Sequence, residues 1–207
     1  MALDGCLLHI IKEQLNNDAI GARIEKITMP YKDMIIFHLS ATGFKCRLLI
    51  SCEPGAPRIH TTVKKYENPP VPPMMCMLLR KKMVGGRLRG VRQAGIDRVL
   101  FLDFDCKNEM SDDVVITVVV EIMGRLSNIA VLQDGKIIDC LTVSQKETDG
   151  IGSVCADESF YGQFVGKTEE TYEQIDAISG ATMTTNGYKK AILRAFEAVK
   201  ILEGGAQ

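Results

Sequence analysis

Tryptophan is missing from the 207 residues, and aromatics make up only 6% of them. The most basic stretch, Arg80 to Arg98, contains no aromatic residue, which argues against recognition of a single strand by base stacking there. The seven cysteines, Cys6, Cys46, Cys52, Cys76, Cys106, Cys140 and Cys155, form no CxxC pair. Their odd number and their place in apolar runs such as MMCMLL favour buried free thiols in a reducing cytosol over a disulfide framework or a zinc site. No run approaches the roughly 20 apolar residues that span a bilayer. Asp4 interrupts the apolar start, so no signal peptide is expected. Internal repeats and low-complexity segments are also lacking.

Net charge is nearly absent, at −1, but the charge is unevenly placed. Arg80, Lys81, Lys82, Arg87, Arg89, Arg92 and Arg98 face a single acid, Asp97. From Glu147 to Asp176 the balance reverses, with Lys167 the single cation. Two functional regions follow from that asymmetry. If the basic run shares one face, it contacts phosphates and gives salt-sensitive nucleic-acid affinity; a solvated charged surface is the plainer alternative.

Asp4 caps a first helix with Leu7, Leu8, Ile11 and Leu15 on one stripe. Three strand-like runs follow, ARIEKITMP, DMIIFHLSA and KCRLLISCE, with turns at Tyr31–Asp33 and Thr42–Gly43 that predict an antiparallel meander. PRIHTTVKKYENPPVPP is a connection too proline-rich for a helix or a central strand. A second helix, PMMCMLLRKKM, stops at Gly85–Gly86. Strands RLRGVRQ, DRVLFLDFDC, VVITVVVEIMG, NIAVLQ and KIIDCLTVS complete the set, the valine-rich one central and covered on both sides. A turn at Asp134–Gly135 joins the last two. The tail predicts a short helix at ESFYGQF and an amphipathic helix starting near Asn186, capped by Thr184, Thr185 or Asn186. The fold class is α+β.

Several uncommon words occur in order: MALDG, LLIS, PRIH, KYENPPVPPMMCMLLRKKMVGGR, AGIDRVLFLDF and VVVEIMGRLSNIAVL. Over residues 1–140 they resemble the N-terminal domain of the NFACT family, the fibronectin-binding-protein homologues and bacterial ribosome quality-control factors. The resemblance implies an antiparallel domain like the N-terminal half of formamidopyrimidine-type DNA glycosylases, acting in the cytoplasm. It implies contact with tRNA on the large ribosomal subunit through Asp97–Arg98 and through Glu121, Ile122, Met123 and Arg125. A rigid carboxylate–guanidinium turn suits a phosphate or base edge. Without the resemblance, the same residues read as a hairpin turn and a strand-end ion pair. Ala2 and Leu3 stand where the glycosylases carry proline and glutamate, so that chemistry has no residues to run on. Relative to the family, the chain reads as a truncated form without the helix-hairpin-helix segment, the coiled coil and the C-terminal RNA-binding domain.

From Leu141 onward SQKETDGIGS, FYGQFVGK and DAISGATMTTNGYKKAI resemble the FMN-binding domain of Rnf-type G and Nqr-type C electron-transport subunits. The pattern Asp-x-x-Ser-Gly-Ala-Thr falls on Asp176, Ser179, Gly180, Ala181 and Thr182. The resemblance implies FMN joined to Thr182 as a phosphoester by a separate flavin transferase, with redox partners beyond. It places Glu147 and Thr148 against the cofactor, and Asp176 orienting either the hydroxyl or the transferase's metal. Small residues let the backbone approach phosphate, and the following helix turns its positive end toward it. A plain N-capping turn is the alternative. Asp149 departs from the proline common at that place.

Residues 1–140 and 141–207 are thus expected to form two units sharing the 127–144 hairpin. Either VVITVVVEIMG and NIAVLQ stand in for the strands that precede the DGKI turn in the flavin family, or the pocket lacks a wall. The seam, natural or artificial, falls within Gly135–Ile138, and a cytosolic parent beside an exterior one favours a chimera. No catalytic acid or base is evident. The expectations are a tRNA-contacting domain fused to a covalent-FMN segment, an FMN redox carrier on a scaffold, or an inactive fragment.

Overall fold

The Asp4 carboxylate accepts the Leu7 N–H at 2.8 Å and starts helix α1, Gly5–Asp18, whose Leu8 and Leu15 are buried. The computed structural model describes residues 3–53, 55–124, 127–134, 136–142, 154–155 and 157–203. Strands β1 (Arg23–Tyr31), β2 (Met34–Ala41) and β3 (Phe44–Ser51) form the expected meander. The connection after it begins with a short edge strand, β4, Arg58–Thr61, where the lack of a further ladder tolerates the prolines that follow. Helix α2, Met74–Met83, takes Pro73 as its N-cap and gives way at Gly85, whose φ of +93° stops a helix.

Strands β5 (Arg87–Gln93), β6 (Val99–Lys107), β7 (Asp113–Glu121), β8 (Asn128–Gln133) and β9 (Lys136–Thr142) continue one antiparallel sheet of order β4-β3-β2-β1-β5-β6-β7-β8-β9. The fold is α+β, as expected. Asp134 takes φ +50° at the β8–β9 turn; its partner in the expected pair, Gly135, lies outside the described residues. β1 and β5 meet over a short stretch centred on the Arg23↔Arg87 pair, hydrogen-bonded from Gly21–Leu88 to Ile24–Gly85.

The sheet consequently doubles over at that corner. Its inner face gathers Ile24, Phe37, Leu48 and Ile50 from one half and Leu102, Phe104, Val118 and Ile129 from the other into one core, closed by α1 and α2. The outer face of β6–β9 carries a second core, in which Phe101, Val119, Ala130, Leu132 and Ile137 meet Phe160, Phe164, Ile192 and Phe196. Those partners come from α3 (Glu158–Tyr161), the 3₁₀ turn Gly162–Phe164 and α4 (Thr182–Glu203). β7 is therefore covered on both sides, which explains its near-continuous valine and isoleucine. β7 and β8 thus pack against α3, the 3₁₀ turn and α4.

Helix α4 begins at Thr182, earlier than the expected start near Asn186. Thr185 makes the difference: its buried hydroxyl donates to the Ala181 C=O at 3.2 Å and accepts the Ile178 N–H at 3.0 Å. The four residues TMTT are thereby held as the first turn rather than as a cap.

Candidate functional site

Two expected motifs meet at one end of the sheet. The β5–β6 turn is tied by Gln93, whose amide donates to the Gly5 and Asp97 carbonyls at 2.8 Å each. α1 butts against this turn so closely that a Cβ on Gly5 would lie 1.7 Å from the Ile96 carbonyl oxygen, so only glycine fits. The Asp97 carboxylate accepts the Arg98 N–H at 2.7 Å, fixing the turn rather than pairing with the guanidinium. From there the ladder reaches the second motif: Val99 stands opposite Glu121, and the Ile122 N–H donates to the Arg98 C=O at 2.8 Å. Past Glu121 the Met123 N–H donates to the Ser127 Oγ at 3.0 Å, and Gly124 turns at φ +65°.

Within this cluster Asp97 is exposed, and Arg98 and Met123 are half-buried. Ile122 points into the inner core, and Glu121 is buried beneath α4, facing a cavity shared with Asn128, Cys140, Tyr188 and Ile192. Arg125 lies outside the described residues. The basic run Arg80–Arg98, by contrast, is not gathered on one face. Arg80 donates to the Ile27 C=O, Lys81 pairs with Glu109, and Arg87 donates to the Gly21 C=O. Arg92 forks onto Asp103, which also accepts the Thr117 hydroxyl at 2.7 Å. That triad on the outer face, with Asp103 and Thr117 buried and Arg92 half-buried, was not legible in the sequence, where the three residues lie in separate strands.

The second site lies at the start of α4. Phe160, Phe164 and Tyr188 stack and edge against one another within 5.1 to 5.8 Å, locking α3 and the 3₁₀ turn to α4. Residues 166–167 extend along β9 through the Gly166 N–H to Ile137 C=O bond (2.7 Å) and the Ile137 N–H to Lys167 C=O bond (3.1 Å). The Asp176 N–H donates to the Gln163 side chain at 2.8 Å, and Gly180 turns at φ +75°.

Thr182 is exposed at the first position of the helix, where N–H groups lack intrahelical partners. A groove of about 340 Å³, lined by Val154, Phe160, Gln163, Asp176, Ile178 and Ser179, reaches the turn that precedes the helix and ends at Ser179, three residues before Thr182. An exposed hydroxyl, a small-residue turn, a helix N-terminus and a groove fit a phosphate-bearing flavin. Glu147 and Thr148 lie outside the described residues.

Residues 4–159 match the family of NFACT N-terminal and middle domains, and residues 124–197 match the FMN-binding domain family. The two matches overlap over residues 124–159, which include β8 and β9. The chain is 45% identical over 129 residues to the Rqc2 homolog RqcH of Bacillus subtilis, covering 62% of this chain and 23% of that protein. It is 37% identical over 86 residues to the G-type component of the proton-translocating ferredoxin:NAD(+) oxidoreductase complex of Clostridium ljungdahlii, covering 37% of this chain and 46% of that one. The N-terminal domain of fibronectin-binding protein PavA from Streptococcus pneumoniae superposes with a TM-score of 0.65 at 31% identity, over 71% of this chain and 56% of that one. The chain spans about a quarter of the length of the RqcH relatives it matches.

Proposed function

The chain belongs to the family of NFACT N-terminal and middle domains, and on that premise we propose that it contacts tRNA on the large ribosomal subunit through the joined β5–β6 and β7–β8 turns. The observation that carries the reading is the Ile122 N–H to Arg98 C=O bond, which unites two motifs separated in sequence. Asp97 holds the turn, Arg98 and Met123 present the contact surface, and Arg125 is the cation of the second motif. Glu121 and Ile122 act from below by fixing the strand end. A guanidinium held at a rigid turn engages a phosphate or a base edge in a fork. A cytoplasmic location goes with this role. No helix among the described residues is long and apolar enough to cross a membrane. Fluorescence anisotropy with labelled tRNA tests it: Arg98→Glu with Arg125→Glu should weaken binding and flatten its salt dependence. Binding unchanged by both substitutions would end the reading.

The groove that reaches Ser179, in the turn before the exposed Thr182, favours a second role for the C-terminal segment, that of an FMN carrier. Thr182 is the attachment point for the flavin phosphate, installed by a separate flavin transferase. Ser179, Gly180 and Ala181 bring backbone against the phosphate, and Asp176 orients the acceptor region. When bound, the flavin supplies one- and two-electron transfer to redox partners; the chain's own residues bind and orient it. We take residues 1–140 and 141–207 as the two units, with the 127–144 hairpin common to both. Co-expression with a flavin transferase followed by intact mass decides this role. FMN mass lost in Thr182→Ala is the expected result, and its absence from the unsubstituted chain would end it.

A further inference from the structure

The outer face of β1–β3 carries an array of cations that no motif announces. Register places Lys26 opposite His38 and His38 opposite Arg47, so the three side chains form one row across three strands. Two residues further along β2 and β3, and three along β1 across a bulge between Ile24 and Lys26, Arg23 stands opposite Ser40 and Ser40 opposite Lys45, forming a second row on the same face. Arg23 is also the register partner of Arg87, which carries the array around the corner onto β5. The intervening residues Phe37, Leu39 and Leu48 point the other way, into the inner core. Arg23, Lys26, Lys45 and Arg87 are exposed, and His38, Ser40 and Arg47 are half-buried.

Among the described residues none of Arg23, Lys26, Lys45 and Arg47 makes an ion pair, although six other lysines and arginines do. Like charges directly opposite across strands are destabilising. Arg47 is also held in place: one guanidinium nitrogen donates to the Val63 and Lys64 carbonyls at 3.0 and 3.2 Å, leaving its other donors for a ligand. Lys64 lies over the Tyr66 ring at the margin of the same face.

We propose that this sheet face binds the sugar–phosphate backbone of RNA. A row of cations that make no ion pair among the described residues, with Arg47 held in place and the exposed Glu25 as the neighbouring acid on β1, matches a regular polyanion. Protein partners are less suited, because protein interfaces centre on buried aromatic and apolar residues and these two rows present none. Nucleic-acid interfaces are polar and strongly positive. The proposal shares with the tRNA reading the premise that the chain binds RNA, but it shares no residue with the β5–β6 turn, which lies at the opposite end of β5 from Arg87.

The test uses the full chain, labelled tRNA and, separately, labelled polyglutamate. A triple variant, Arg23→Gln, Lys26→Gln and Lys45→Gln, should flatten the dependence of log K on log salt by roughly 0.7 to 0.9 per cation removed, about 2 in total. Affinity for tRNA near 0.1 M salt should fall by on the order of tenfold or more. The urea midpoint should hold or rise, because repulsion is relieved. An unchanged salt slope would overturn the proposal, and so would polyglutamate binding as tight as tRNA and equally lost in the variant. If Arg98→Glu has no effect while the triple variant does, the turn reading fails and this face stands; the reverse outcome sinks this face alone.

Discussion

The rings of Phe37 and Phe104 stack 5.5 Å apart at 20° from parallel, although β2 and β6 are separated in sheet order by β1 and β5. In a flat sheet, three strand spacings of about 4.8 Å would hold those strands roughly 14 Å apart. The stack exists because the sheet folds over at Arg23–Arg87, and it pins the two halves face to face. Both rings are fully buried. Phe104→Ala and Phe37→Ala should each lower stability by about 3 to 5 kcal/mol. The double variant should fall short of their sum by about 0.5 to 1.5 kcal/mol, measured by urea denaturation. Strict additivity would show that the halves are held independently.

Most elements could be read from local pattern. Asp4 announces α1, strand-like runs bounded by turn residues mark β1 to β3, and the continuous valines of β7 signal its double cover. What escaped reading depends on partners distant in sequence. The run Arg80–Arg98 left a shared basic face and a solvated charged surface both open, and in the structure Arg80 and Arg92 are engaged by the Ile27 carbonyl and by Asp103. A row of cations that make no ion pair among the described residues comes instead from Arg23, Lys26, Lys45 and Arg47, which strand register brings together. The start of α4 was misplaced because a threonine run reads as caps, while Thr185 bonds back to Ala181 and extends the helix.

His38 gives this face a pH signature. Burial, then the charges of Arg47 and Lys26, hold its imidazole below the usual histidine range. The folded protein therefore keeps His38 neutral while the unfolded chain protonates near pH 6.5. Its contribution is present above that value and is lost as pH falls through it toward the depressed folded value. His38→Gln should have a urea midpoint that declines less than the parent's between pH 7 and pH 5. Parallel declines would mean that His38 is protonated in both states alike.

The thiols should react in a fixed order. Cys6 is exposed, while burial pushes Cys106 up to about 11 and Cys140 up to about 12, the latter despite the hydrogen bond from the Tyr188 hydroxyl. Burial raises Cys52 further still. Thiolate is the reactive form. Iodoacetamide at pH 8 followed by peptide mass mapping should label Cys6 in the native protein and reach Cys52, Cys106 and Cys140 only in urea. Early labelling of Cys140 would show that α4 opens readily from β9.

Thr185 is the clip of the Ser179–Thr182 turn. Thr185→Val keeps the shape but leaves the Ile178 N–H without its acceptor, at a cost of about 1 to 3 kcal/mol. Thr185→Ser preserves both bonds and should retain stability. If Thr182 accepts FMN, incorporation should drop in Thr185→Val, recover in Thr185→Ser and vanish in Thr182→Ala. Equal incorporation in the valine and serine variants would show that the transferase needs no preformed turn.

The C-terminal unit is built onto the outer face of the sheet rather than tethered beside it. Val99, Phe101, Val119, Ala130, Leu132 and Ile137 are all buried in the core it shares with Phe160, Phe164, Ile192 and Phe196. If the unit were an appendage, a chain ending after Thr142 would remain soluble and α4 would unfold on its own schedule. With a shared core, the shortened chain exposes a contiguous apolar face and should self-associate and bind a hydrophobic dye strongly. Leu132→Asp places an unpaired charge in that core. Hydrogen exchange should then show amides of α4 and of β7 losing protection together, at the same denaturant concentration. Loss confined to α4, with β7 as protected as before, would mean that the sheet stands without the unit that covers it.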